Sequence, residues 1–207
     1  MNESMSNPSR WEQGHHGYGA RFAQLLKDGV DITGEARLAD TLLPRSGTVL
    51  DAGCGMGRIA AALEEAGHDA YGVDLDAELL AQAGKTYPAL PVAQLRLEDV
   101  SPESLAAQEF PTAYDLIVCV GNVMTFLAED SEPAVLAALR TVVTPEGRLL
   151  VGFHQDGGDA GRRSYPADEF IADAEGGGWQ LESRFATYDL RPEPGDDTFF
   201  VGIFRAV

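Results

Sequence analysis

From about residue 47 onward, short β-type apolar runs alternate with segments whose apolar residues recur at helical spacing. Thr48-Val49-Leu50 is the first run, and it ends in Asp51 and a glycine cluster. Residues 58–66 then place Ile59, Ala62, Leu63 and Ala66 on one helical face, with Gly67 as the stop. Residues 70–73 predict a strand ending at Asp74, and a helix over 77–86 is closed by Pro88. Residues 92–97 alternate as a strand does and run into Glu98-Asp99. Within 114–120 the run Leu116-Ile117-Val118-Cys119-Val120 is unbroken, which suits a central strand covered on both faces. A helix over 132–143 and a buried strand over 148–153 follow. Strand–helix units of this length imply a parallel sheet with helices on both sides and right-handed connections.

The two ends read differently. Residues 168–175 predict a helix stopped by Gly176-Gly177-Gly178, after which Trp179, Leu181, Phe185 and Thr187 alternate with polar residues. A last strand covers 199–204, and the polar turn 191–197 between these strands leaves no room for a crossover helix. The two should therefore pair as an antiparallel hairpin. Ahead of the sheet, 18–27 and 34–43 have helical spacing. No internal repeat or long linker interrupts the chain, so one domain with an N-terminal helical arm is expected.

Composition narrows the function classes. At 207 residues and 44% hydrophobic, the chain can build a core without disulfides or metal. Two cysteines, Cys54 and Cys119, are too few for a secreted disulfide scaffold. The longest apolar run, residues 134–139, is far short of a membrane span, and the polar start lacks an export signal. A cytoplasmic protein with no membrane partner is expected. Fifteen Lys+Arg against 33 Asp+Glu leave a formal charge of −18, which argues against a broad basic face for nucleic acid.

The strongest chemical signal is Val49-Leu50-Asp51-Ala52-Gly53-Cys54-Gly55-Met56-Gly57-Arg58. A strand, a glycine loop and a helix start in that order let the backbone approach a nucleotide-type ligand closely. A dinucleotide fingerprint counted from Gly53 requires its third glycine at 58, which is Arg58; the glycines fall at 53, 55 and 57. Asp51, two residues before Gly53, would repel a pyrophosphate but suits a cation. S-adenosylmethionine, with its ammonium and sulfonium, fits that chemistry. The bland alternative for Asp51 is a carboxylate that stabilises the following helix N-terminus.

This segment resembles motif I of the class I S-adenosylmethionine-dependent methyltransferases, and later segments of 45–207 resemble that family in order. The resemblance implies a doubly wound, mostly parallel seven-stranded Rossmann-like α/β sheet with a C-terminal antiparallel β-hairpin. It implies S-adenosyl-L-methionine as cofactor, with residues 45–207 as the binding domain and 1–44 as a helical lid. Asp51, Gly53 and Gly55 would form the loop, and Asp74 would bond the ribose hydroxyls. Leu75 would cover the adenine. Asp99 would accept from its amino group with Val100 beside it, Glu98 being the alternative acid. Tyr114-Asp115-Leu116-Ile117-Val118-Cys119 resembles the fourth-strand motif, which brings Cys119, Gly121 and Asn122 to the methionine end. Pro145-Glu146-Gly147-Arg148-Leu149-Leu150-Val151 resembles the turn into strand five. Tyr18 and Arg21 would lid the site and hold the cofactor carboxylate. Residues 52–66, 121–127 and 184–190 are similar to small actinobacterial-type methyltransferases.

His154, after the fifth strand, is a candidate general base, as are His15 and His16 in the arm, while His68 reads as a surface residue. Cys54 and Cys119 read as small buried residues rather than catalytic thiols. Arg162 and Arg163 are candidates to meet an acidic acceptor. No metal site emerges: the carboxylates around Asp156 and Asp159 lack convincing ligand spacing. The implied activity is in-line methyl transfer to a small-molecule acceptor, lined at the donor by Asn122. Two other readings compete, a non-catalytic S-adenosylmethionine-binding protein and a nicotinamide-dependent oxidoreductase. The oligomeric state is open.

Overall fold

The computed structural model describes residues 7–14, 24, 28–29, 31–158, 161–192 and 198–207. The expected helix over 18–27 falls largely outside them. Helix α1 (Gly34–Leu42) leads into strand β1 (Thr48–Ala52), α2 (Arg58–Glu65), β2 (Asp69–Asp74), α3 (Ala77–Thr86) and β3 (Val92–Gln94). There follow α4 (Pro102–Ala106), β4 (Tyr114–Cys119), α5 (Glu132–Arg140), β5 (Val143–His154), α6 (Ala167–Gly176), β6 (Trp179–Phe185) and β7 (Phe199–Ala206). Single 3-10 turns stand at Leu97–Asp99 and Val123–Thr125.

The seven strands form one sheet in the order β3-β2-β1-β4-β5-β7-β6. β1 pairs parallel with β2 and β4, β2 with β3 and β4 with β5, while β7 runs antiparallel between β5 and β6. The strand order reverses between β1 and β4. In open α/β sheets the ligand crevice lies at the carboxyl ends of the strands at such a reversal.

Strand alternation splits the core between the two faces. Leu50, Ile117, Leu149, Val151 and Phe153 pack with Leu136 and Leu139 of α5 and Phe170 of α6. Val49, Leu116, Val118 and Leu150 point the other way, against Ala36, Leu38 and Ala39 of α1 and Ile59 and Leu63 of α2. Each buried valine, leucine, isoleucine or phenylalanine among them contributes roughly 1.5–3 kcal/mol relative to exposure. The sheet is thereby held rigid beneath its carboxyl edge.

Three local expectations are corrected. The strand over 92–97 is only three residues long, because Leu97–Asp99 turns into a 3-10 helix. The helix expected to reach 143 stops at Arg140, and Val143 instead pairs with Tyr114 as the start of a twelve-residue β5. His68 is buried, not on the surface. Its Nδ1 accepts from the Gly47 N–H at 3.2 Å and its Nε2 meets Asp40 at 2.9 Å, so it pins the loop before β1 to α1.

Candidate active site

The loop after β1 is built by its glycines. Gly53 has φ +85°, and a Cβ there would stand 2.5 Å from Val123 Cγ2, so no side chain fits without displacing the far wall of the site. The Gly53 and Cys54 N–H groups both donate to Val73 O of β2, at 2.8 and 3.0 Å. Gly55 N–H donates to Asp74 Oδ2 at 2.8 Å, and Asp76 N–H donates to Asp74 Oδ1 at 2.8 Å. Asp74 therefore fastens the glycine loop to the end of β2. Burial pushes its carboxyl up, against the pull of those two donors.

Asp51 is 2% exposed and accepts from the Ala60 N–H at 3.2 Å, so it does support the start of α2. One long hydrogen bond does not compensate a buried carboxylate. Desolvation raises its pKa to about 7 even with the Arg58 guanidinium nearby. Arg58, at the position where a dinucleotide site needs glycine, is taken up by Glu35 of α1 through contacts of 3.0 and 2.6 Å.

Asp51, Gly53, Gly55, Asp74, Leu75 and Gly121 line one cavity with Met56, Leu79, Leu97, Glu98 and Val123. Its empty space, counting the open mouth, is about 920 Å³. Glu98 lines it and is held by Arg96 at 2.7 Å. Asp99 is exposed, Val100 packs into the core, and Cys119 lies buried beneath the floor; these three are not among the lining residues. The fit to the implied cofactor is good on chemistry: a buried, underpaired carboxylate for a cation, a glycine cradle that a Cβ would fill, and apolar Leu75, Leu79 and Leu97 for a base.

A roof comes from residues 8–14. Trp11 stands edge-on to Phe126 with ring centroids 5.5 Å apart, and its Nε1–H donates to Asp76 Oδ2 at 2.8 Å. The Trp11 N–H donates to Phe126 O at 3.2 Å. Ser9 and Trp11 line the cavity. Sequence reading passed over both, though a lone tryptophan in a polar stretch is the available signal. Tyr18, Arg21, His15 and His16 lie outside the described residues.

Asn122, three residues beyond the end of β4, meets His154, the last residue of β5. Asn122 has φ +73°, an uncommon conformation that asparagine tolerates. Its Oδ1 accepts from the His154 backbone N–H at 2.8 Å and lies 3.1 Å from His154 Nδ1. A carbonyl oxygen only accepts, so Nδ1 carries the proton and Nε2 keeps its lone pair. Nε2 has no hydrogen bond among the described residues. Burial, aided by Arg162, lowers the His154 pKa below its ordinary 6.5, so the ring is neutral at pH 7. Neither residue lines the cavity, but Gly121 and Val123 on either side of Asn122 do. Burial pushes both cysteine thiols up, which makes them poor nucleophiles. Of the two arginines, Arg163 is bound by Glu132 and Glu169, whereas Arg162 has a looser contact, 3.6 Å from Asp156. Among the described residues, no group of three or more potential ligands stands ready for a metal, and no helix is long and apolar enough to cross a membrane.

Known proteins place this geometry. A family described as "Methyltransferase domain" matches residues 49–147, from β1 to the first part of β5. A TehB-like SAM-dependent methyltransferase from Corynebacterium glutamicum is 36% identical and superposes with a TM-score of 0.82, over 92% of this chain and 97% of that one. A ubiquinone biosynthesis O-methyltransferase from Albidiferax ferrireducens is 31% identical over 141 residues, 62% of this chain and 54% of that protein. The chain spans about half the length of the curated relatives it matches. A 1,6-didemethyltoxoflavin-N1-methyltransferase from Burkholderia thailandensis shares the fold at 19% identity and a TM-score of 0.62, over 91% of this chain and 87% of that one. With the sheet order, the glycine loop and these likenesses together, the chain belongs to the class I S-adenosylmethionine-dependent methyltransferase family.

Proposed function

We propose that the chain methylates a small-molecule acceptor at the carboxyl edge of β4 and β5, with His154 as general base and Asn122 as the residue that fixes its tautomer. The observation that carries this is the Asn122 Oδ1 contact to the backbone N–H and the ring Nδ1 of His154, which leaves Nε2, without a hydrogen bond among the described residues, as the proton acceptor. When bound, S-adenosylmethionine supplies an electrophilic sulfonium methyl. In this reading Asp51, Gly53, Gly55 and Gly121 hold the cationic methionine end, and Asp74 holds the ribose. Leu75 and Leu97 flank the adenine. Glu98, which lines the cavity, takes the amino-group role rather than the exposed Asp99. Trp11 and Phe126 exclude water and fix the approach of the acceptor, and such orientation is worth roughly 7–11 kcal/mol of barrier.

A neutral base is needed when the acceptor must shed a proton, which favours a hydroxyl over a thioether or a preformed carbanion. The curated relatives, named as O-methyltransferases, agree with a hydroxyl. The net charge of −18 disfavours nucleic acid as acceptor. The test is turnover of phenolic, alcoholic and amine acceptors by wild type and His154→Gln. The variant should lose about 10²–10⁴ in kcat with hydroxyl acceptors, with S-adenosylhomocysteine affinity unchanged. Wild-type activity should rise with pH through a pKa below 6.5 and then level off, and the variant should lack that step. Equal turnover of the two proteins would remove His154 from the mechanism. Absence of product from every acceptor, in a chain that binds the cofactor, would favour a binding protein.

A further inference from the structure

Glu132 opens α5, far in sequence from the glycine loop, and its side chain is 1% exposed. Its Oε1 receives two guanidinium groups, from Arg163 at 2.8 Å and from Arg10 at 3.4 Å. Its Oε2 is equally buried and has no hydrogen-bond partner. One arginine comes from the roof segment and the other from the loop that follows His154 at the end of β5. Arg10 belongs to the roof: the same nitrogen that meets Glu132 donates to Leu127 O at 2.9 Å, and the next residue is Trp11. Arg163 belongs to the loop after β5 that carries Arg162 toward His154. Its backbone N–H donates to Thr125 O at 3.0 Å and its guanidinium lies 4.1 Å from the Tyr165 ring centroid.

We propose that Glu132 is a positioning residue: a latch that holds the roof over the cofactor cavity and ties its closure to the loop on the acceptor side. The inference rests on the cavity being the cofactor site. Charge-assisted contacts normally close to about 2.7–2.9 Å, so Arg10 at 3.4 Å is seated loosely. The unpaired Oε2 offers it a second acceptor in the same carboxylate, and moving onto both oxygens draws Trp11 down against the cavity. Arg163 holds that carboxylate in place and neutralises it, since a buried charge with a single loose partner is unstable. The two guanidinium groups repel one another unless the anion stands between them. Ordering of either segment therefore favours ordering of the other, and binding beneath the roof strengthens binding at the acceptor loop by the same factor as the reverse.

The test is amide hydrogen exchange on the full chain, read at the roof segment, together with S-adenosylhomocysteine titration. Arg163→Ala touches no roof residue directly, yet it should speed exchange at the roof in the ligand-free protein. It should also weaken S-adenosylhomocysteine about 5-fold or more, the lower end of ordinary coupling. Arg10→Ala should do the same, and the double variant should be little worse than either single one. Glu132→Gln should match the double variant. If that variant does not fold, the two arginine substitutions decide the matter alone. Unchanged roof exchange in Arg163→Ala, or arginine effects that simply multiply, would overturn the latch. The cavity assignment fails separately, if Asp74→Ala leaves S-adenosylhomocysteine affinity intact. Roof exchange in the ligand-free chain would still judge the latch.

Discussion

Asp51 is a buried carboxylic acid kept short of partners, and in the proposed site it faces the cationic end of the cofactor. An unfolded aspartate releases its proton near 3.8, whereas here it does so at about 7. Because the folded-state value is raised, Asp51 costs the ligand-free fold stability as pH climbs between those two values, and a bound cation relieves that cost. S-adenosylmethionine affinity should therefore rise between pH 6 and pH 8, by at most about tenfold per unit below the pKa. Asp51→Asn should melt higher than wild type at pH 8 without ligand, by a few degrees for about 1 kcal/mol, and should show a flat affinity profile. A flat profile in wild type would contradict the assignment. Tyr188 carries a different cost. Its hydroxyl is buried beside the Gly121 amide without a hydrogen bond of normal geometry, and a Cβ at Gly152 would meet it at 2.0 Å. Tyr188→Phe should raise stability by about 1 kcal/mol or leave it unchanged, measured by chemical denaturation. A loss of more than that would mean the hydroxyl has a partner in solution. The sequence distinguished Asp51 and Asp74 because their spacing from the glycines is fixed by a strand and a loop. It left Glu98 and Asp99 equivalent, since adjacent residues separate only once the 3-10 turn Leu97–Asp99 points one inward and one outward.

Among the elements, the alternation of apolar runs located all seven strands, and the ends were displaced by tertiary pairing. Val143 has as much reason to continue a helix as to start a strand until Tyr114 is beside it. Helix α4 went unread, although Ser101 and Ser104 form a reciprocal capping box around Pro102. Five residues carry too little periodicity to be seen. His68 misled because its partners, Gly47 and Asp40, lie 21 and 28 residues away in sequence. The loop between β1 and α2 was the most legible element, because backbone geometry there is written in residue type. Gly53→Ala should cost roughly 1–2 kcal/mol for a left-handed non-glycine residue, and more as Val123 gives way. Cofactor affinity should fall further than stability does, since Val123 and Gly53 face the same cavity. Calorimetry and denaturation on the same preparation would expose the opposite order.

At the scale of the whole molecule, function follows from one topological fact. β1 lies between β2 and β4, so the chain's two parallel halves diverge above its carboxyl end, and the glycine loop, Asp74 and Gly121 converge there from three different strands. Ser9 and Trp11 of the roof line that gap, and the loop after β5 meets the roof's anchor through Glu132, which both Arg10 and Arg163 contact. Regular elements announced the gap; the resemblance announced an N-terminal lid but not that Ser9 and Trp11 line the cavity, because irregular chain has no period and those contacts are long-range. The acceptor is the least legible part, because no residue spacing in the sequence specifies it. The most direct test of the central claim is calorimetric titration of S-adenosylhomocysteine into wild type and Asp74→Ala, with NADH as a control ligand. We expect wild type to bind S-adenosylhomocysteine and not NADH, and the folded variant to bind about 1–3 kcal/mol more weakly, through lost hydrogen bonds to a charged group. Equal affinities in the two proteins, or binding of NADH alone, would contradict the account.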